Sequence, residues 1–210
     1  MYTPPKFKIE NQEMILDFIN ENSFGLLLSI EGTSIHDTHT PFILSKCKRY
    51  LLGHIAKANP QWNSWGKDSV AKVVFTGSHA YISPKYYESE FAVPTWNYTA
   101  VSVSGKLNII DDIAKKIDFL DNLTSTHETS EDPWFFDHED ERYLNLLSGI
   151  VVFSVEIDKL EASFKLNQNR SIEDQSKVIQ SLSSNSCPIA HDVAALMKEN
   201  IDAEHNKTKL

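Results

Sequence analysis

The chain has 210 residues, 41% of them hydrophobic and 23% charged, and its 20 Lys and Arg against 29 Asp and Glu give a formal charge of −9 and a pI near 5.3. That balance fits a globular fold and weighs against a surface that grips duplex DNA unaided. No apolar run is long enough to span a bilayer, the opening MYTPPKFKIE lacks the apolar centre of a signal peptide, and Cys47 and Cys187 are too few and too distant for a disulfide framework or a zinc site, so the expected compartment is the cytoplasm.

Met14, Ile15, Phe18 and Ile19 recur at helical spacing and predict a short amphipathic helix over Asn11 to Glu21. Four short apolar runs bounded by turn residues then read as strands: Phe24 to Ile30, Thr40 to Leu44, Tyr50 to Ala56 and Val70 to Phe75. Thr76-Gly77 reads as a tight turn whose amides can face an anion, followed by a short strand at Tyr81-Ile-Ser. Trp96 to Ile110 is a long strand. Val101, Val103, Leu107 and Ile109 fall on one of its faces and Ser102 and Ser104 on the other. Trp96 and Tyr98 lie opposite the valines, which predicts a second partner there, a subunit or a flat ligand. Strands this short and close together predict an antiparallel barrel or sandwich.

Asp111 or Asp112 caps a helix carrying Ile113, Ile117 and Leu120. His127 to Glu141 is acidic, with Trp134, Phe135 and Phe136, and reads as a solvated loop with an aromatic anchor; a lid or dimer contact is the other reading. Tyr143 to Leu147 is helical and Gly149 to Ile157 is another strand. Ser171 opens a helix containing Val178, Ile179 and Leu182, and a last helix runs from about Pro188 to about Met197. A polar, frayed tail follows from Asp202. The expectation is one domain over 1–200 with C-terminal helices, and a polar tail over 201–210.

Three stretches carry donor chemistry. In His54-Ile-Ala-Lys-Ala-Asn-Pro-Gln-Trp62, Lys57 and Asn59 can meet a phosphate or a flavin edge, although a hairpin with an exposed Lys is the plainer reading. The Gly77 turn alone is a weak signal. In Phe164-Lys-Leu-Asn-Gln-Asn-Arg-Ser171, Lys165, Gln168, Asn169 and Arg170 precede a capped helix and offer an anion site; a capped helix with exposed charges is equally consistent. His36 and His39 fall on opposite faces of an extended strand and cannot share one metal ion. No paired carboxylates and no nucleophile with its base are legible, so no catalytic residue is assigned.

His39-Thr-Pro-Phe42, His54 to Trp62, Ala80-Tyr-Ile-Ser-Pro84, Val93-Pro-Thr-Trp-Asn-Tyr98 and Lys165 to Arg170 together resemble the motifs of the PaiB family, in order and spacing, over nearly the whole chain. The resemblance implies a β-rich α+β fold: an FMN-binding split β-barrel of the pyridoxamine-phosphate-oxidase type with flanking helices. It also implies a homodimer with FMN at the subunit interface, and a negative transcriptional regulator tied to protease production and sporulation. The cofactor-binding residues implied are Lys57, Asn59, Trp96, Tyr98, Lys165, Gln168, Asn169 and Arg170, with Lys57, Lys165 and Arg170 on the phosphate.

The chain departs from the family pattern in places. Gly77-Ser78-His79 stands where Gly-Pro-His is common, Lys85-Tyr86-Tyr87 where Ser-Trp-Tyr is, Lys57 for Arg and Asn167 for Ser. Lysine meets a phosphate as a point charge, without the guanidinium fork. With no recognisable helix-turn-helix and no basic helix, the regulator is expected to act indirectly rather than by gripping DNA. Two alternatives stay open. One is a flavin-dependent oxidase or reductase of a small molecule, with His39, His54 and Tyr98 as the nearest proton-transfer candidates. The other is a split barrel holding haem or another flat cofactor.

Overall fold

The structure, a computed structural model, describes residues 1–137 and 140–207, with side chains through Ala203. In chain order the elements are β1 (Lys8–Ile9), α1 (Gln12–Glu21), β2 (Phe24–Glu31), β3 (Ser34–Leu44), β4 (Tyr50–Ala56), β5 (Val70–Ile82) and β6 (Thr95–Ile110). Then come α2 (Ile113–His127), α3 (Glu141–Leu146), β7 (Ile150–Glu156), β8 (Lys159–Lys165), α4 (Ile172–Ser183) and α5 (Pro188–Lys207). The described strands are hydrogen-bonded in the order β1-β8-β6-β5-β2-β3-β4-β7, and β6 also pairs with β7. That last pairing closes the run from β6 to β7 on itself and removes its free edges.

The chain divides into two compact units, neither a continuous stretch. One comprises Leu16–Phe75 and Ser102–Leu160, the other Met1–Ile15, Thr76–Val101 and Glu161–Leu210. Strands β5 and β6 pass through both, which is why no linker is visible in the sequence.

The first unit is the closed barrel. Alternation sends Leu27, Phe42, Leu51, Phe75, Val103, Leu107, Phe153 and Val155 inward, all essentially inaccessible to solvent. Phe42 meets Phe75 and Phe153 edge-on, with ring centres 5.6 and 6.0 Å apart, and Gly53 leaves the room: a Cβ there would stand 2.9 Å from Phe153 and 3.0 Å from Phe42. Helix α2 starts at Asp112, whose carboxylate accepts the Lys115 amide at 2.9 Å. It lays Phe119 and Leu123 on Ile43 and Val152. Burying each such side chain stabilises the fold by about 2 kcal/mol. From 128 to 137 the acidic segment has no regular structure; Phe136 is its buried anchor, 5.5 Å from Tyr143, while Trp134 and Phe135 stay exposed.

In the second unit α4 and α5 pack together. Ala190, Val193, Ala194, Met197 and Ile201 form the buried stripe of α5. Asn97 on β6 is fully buried beneath it and donates to Met197 Sδ at 3.3 Å.

Several sequence expectations need correction. Thr76-Gly77 makes no turn: β5 is one strand through Gly77 to Ile82, because its ladder continues where local propensity predicts a break. β3 begins at Ser34, not Thr40, since pairing of Glu31 with Ser34 and Leu28 with Asp37 supplies the backbone hydrogen bonds whatever the side chains' polarity. β1 and β8 were not expected. Helix α5 extends past Met197 to Lys207, so only 208–210 of the expected tail lie outside the described residues.

Candidate functional site

Six of the eight residues expected at a cofactor site belong to the second unit, and Lys57 and Asn59 belong to the barrel unit. In the second unit, β8, β6 and β5 lie side by side, and the alternation of each strand sorts their side chains onto two faces. One face turns toward α5, with Asn97 on Met197 and the Ser78 hydroxyl 3.3 Å from Asp192. The other carries Trp96 and Tyr98 of β6, His79 and Tyr81 of β5, and Ser163 and Lys165 of β8. Trp96 is 53% exposed and Tyr81 48%. Tyr81 meets Trp96 edge-on at 6.0 Å between ring centres, and His79 lies 6.1 Å from Trp96 at 39°. The Tyr98 and Ser163 hydroxyls are 3.4 Å apart, which ties β6 to β8 on this face.

Lys165 closes the row. Its ammonium donates to the Thr95 hydroxyl and lies 6.0 Å from the Phe7 ring centre. Among the described residues no carboxylate pairs with it. Partial burial lowers its pKa. A partly buried cation with no carboxylate beside it among the described residues is suited to a ligand with an anionic group.

Gln168, Asn169 and Arg170 do not join this face through any contact; they build the turn into α4. Gln168 is spent locally, accepting the Leu166 amide at 2.7 Å and donating to the Phe164 carbonyl at 2.6 Å. Asn167, at φ 66°, donates to the Tyr87 hydroxyl at 3.2 Å. Asn169 is exposed. The Arg170 guanidinium lies 4.8 Å from the Tyr87 ring centre. Helix α4 is capped by Ser171, as the sequence predicts, but its first turn carries Glu173 and Asp174, whose charge opposes an incoming phosphate. Asp174 is 2% exposed and receives the amides of Glu88 and Ser89, both at 2.9 Å, and the Ser89 hydroxyl at 2.7 Å. Burial pushes its carboxyl up, but these Ser89 and Glu88 hydrogen bonds and the Arg170 charge outweigh that and hold it below the usual carboxylate range.

In the barrel unit Asn59 caps a short 3-10 turn, accepting the Gln61 amide at 2.9 Å. Its amide nitrogen donates to Thr38, which donates to Gln61 Oε1 at 2.5 Å. Buried Gln61, which sequence reading passed over, then reaches Ser29 at 3.0 Å. Lys57 is exposed, its ammonium 4.9 Å from the Trp62 ring centre. Of the three proton-transfer candidates, His54 sits half-buried and edge-on to Phe119 at 5.7 Å, its Nδ1 without a partner among the described residues; burial lowers its pKa. His39 stacks on Phe24 at 5.9 Å. His36 lies beside Glu31 at 3.1 Å, and no trio of metal-binding side chains clusters among the described residues.

His79 and Tyr81 are the residues of this face that sequence reading missed. The signal was present: they alternate on the same period as Trp96 and Tyr98, but a turn placed at Gly77 broke the count.

A closed antiparallel barrel with flanking helices defines the split-barrel fold. Two solved structures share this fold. The FAD and heme binding protein from Mycobacterium smegmatis is 14% identical, with a TM-score of 0.59 over 75% of this chain and 73% of that one. The flavocytochrome Anf3 from Azotobacter vinelandii is 13% identical, with a TM-score of 0.59 over 75% and 69%. Residues 1–159 match the family model described as "Putative FMN-binding domain". The "Protease synthase and sporulation protein PAI 2" of Bacillus subtilis is 35% identical over 206 residues, covering 96% of this chain and 98% of the relative. The chain belongs to the PaiB family of FMN-binding-domain proteins. No described helix is long and apolar enough to cross a membrane.

Proposed function

We propose that the chain is a cytoplasmic homodimer that binds FMN at its subunit interface, on the face of β6 and β5 where Trp96 and Tyr81 are exposed, and acts as a negative regulator of gene expression. The observation that carries this is Lys165, a partly buried ammonium that donates to Thr95 at the start of β6 and has no carboxylate partner among the described residues. The donor set fits the cofactor: a cation for the phosphate and aromatic rings for the flavin. Gln168 is held in its own turn, so of the motif before α4 the exposed Asn169 and the Arg170 charge are the groups left to serve a phosphate. Lys57 and Asn59 form a separate polar group in the barrel unit, and their part is tested on its own by Lys57→Ala.

The Bacillus relative's name ties that protein to protease synthesis and sporulation, which supports a regulatory role here. The charge of −9 favours action through a bound ligand or protein partner over direct grip on DNA. A mobility-shift assay with promoter fragments at physiological salt is expected to show no sequence-selective complex.

The deciding experiment is titration of the purified chain with FMN and with riboflavin, alongside sizing. Lys165→Ala is expected to weaken FMN binding about tenfold or more while leaving riboflavin binding unchanged, because only FMN carries the phosphate. Equal affinity of wild type and variant for FMN removes Lys165 from the site. Absence of any flavin binding by the wild type removes the FMN reading.

A further inference from the structure

We infer that a second copy of this chain docks on the outer face of the barrel unit made by β3, β2 and β5, in a two-fold contact whose axis runs along β2. This rests on the homodimer proposed above and assigns the barrel unit's part of the interface to residues outside the family motifs.

An antiparallel sheet packed on one side normally turns polar side chains to solvent on the other. Strand β2 does not. Leu27 points into the barrel, yet Leu28 and Ile30, which point outward, are apolar as well, and Ile30 is 65% exposed. Ile35 pairs with Ile30 across the β2–β3 hairpin and is 70% exposed. Val70 of β5, next to the Ala71 that pairs with Ser29, is 61% exposed. With Leu28 these side chains line an open cleft of about 440 Å³. Branched apolar side chains left this open to water, together on one face, mark a contact surface. A small molecule lying in so open a cleft leaves much of them wet. A second sheet laid across the face covers all three.

The charges select a copy of the same chain. Leu28 pairs with Asp37 on β3 and with Lys72 on β5, so one row across the three strands reads acid, leucine, base. Paired residues of an antiparallel ladder point to the same side of the sheet, so all three share the outer face. A two-fold axis along β2 exchanges the two sides of that strand. It sets Asp37 over the partner subunit's Lys72 and Leu28 on the partner subunit's Leu28. The next row obeys the same operation, for Ile35 then meets the partner subunit's Val70. An axis across the strands would instead oppose like charges.

The test is sedimentation of the full chain over a range of concentrations, with FMN titration in parallel. Ile35→Glu is expected to raise the dimer dissociation constant about tenfold or more. Asp37→Lys and Lys72→Asp each oppose like charges across the axis and are expected to weaken the homodimer in the same way. Mixed in equal amounts, these two variants are expected to assemble with each other, because each supplies the charge the other lacks. Both exchanges in one chain should restore the homodimer. Ile113→Glu, at an exposed isoleucine on α2, is expected to change nothing. Circular dichroism checks that each variant folds.

If the wild type is a dimer and Ile35→Glu and both charge variants stay dimeric, this face is not the interface and the homodimer reading stands. Single charge variants that dissociate and fail to assemble when mixed overturn the two-fold along β2. A wild type that is monomeric overturns the homodimer reading and this inference together, while its FMN titration still decides the flavin reading.

Discussion

Asp174 grips Ser89 twice: one carboxylate oxygen accepts its amide at 2.9 Å and the other its hydroxyl at 2.7 Å. The first oxygen also takes the Glu88 amide, so the start of α4 holds the stretch that follows the β5 strand. Asp174→Ala leaves these donors without their acceptor and is expected to destabilise the protein by about 3 kcal/mol. The loss should read as a lower midpoint in urea, with faster amide exchange at Glu88 and Ser89. Because the folded carboxyl is held below its usual pKa, this contribution is present above the unfolded value and fades as pH falls through the folded one. A variant whose midpoint and exchange match the wild type would remove Asp174 as an anchor.

His54 predicts the opposite end of the acid range. Its pKa is lowered by burial against Phe119, so the folded protein resists taking up the proton that the unfolded chain accepts near pH 6.5. Stability should be full above that pH and decline as pH drops below it. His54→Phe removes the titrating ring and its unpartnered Nδ1, and its urea midpoint should fall less between pH 7.5 and 5.5 than the wild type's. Parallel declines in the two proteins would assign the pH effect elsewhere.

Gly105 sits where β6 passes the end of β7. A Cβ there would meet the Glu156 carbonyl oxygen at 1.5 Å and its carbon at 2.7 Å, both backbone atoms that cannot rotate away. Gly105→Ala is expected to cost about 3 kcal/mol or more, or to prevent folding. Thermal melting of the purified variant settles it; a melting temperature within a degree or two of wild type contradicts the close approach.

Cys47 is exposed on the hairpin between β3 and β4, 3.4 Å from the Ser45 hydroxyl. That hydrogen bond, then the Arg49 amide and charge, lower the thiol's pKa. At neutral pH a Cys187→Ser protein, which keeps Cys47, should react with an aromatic disulfide reagent several-fold faster than free cysteine does. A rate no higher than that of free cysteine would show that the thiolate is not favoured.

Much of the fold was legible because it is written in short-range patterns. The valine alternation of β6 and the caps at Asp112 and Ser171 depend only on neighbours along the chain and appear as expected, and so does the apolar repeat of α1 except that Met14 is exposed and Leu16 is buried in its place. The motif set was enough to place the chain in its family.

What the tertiary structure alone decided is long-range pairing. Whether Gly77 bends or continues a strand depends on the partner strands beside it, and those lie far away in sequence. Once β5 continues, His79 and Tyr81 arrive beside Trp96, and β8 brings Lys165 to Thr95 across 70 positions of chain. Gln168 and Asn59, both ligand candidates by residue type, are spent on backbone groups two to four positions away, holding their own turns. Donor chemistry can be read from a residue's name, but whether the donor is still available depends on which backbone groups the fold sets within its reach.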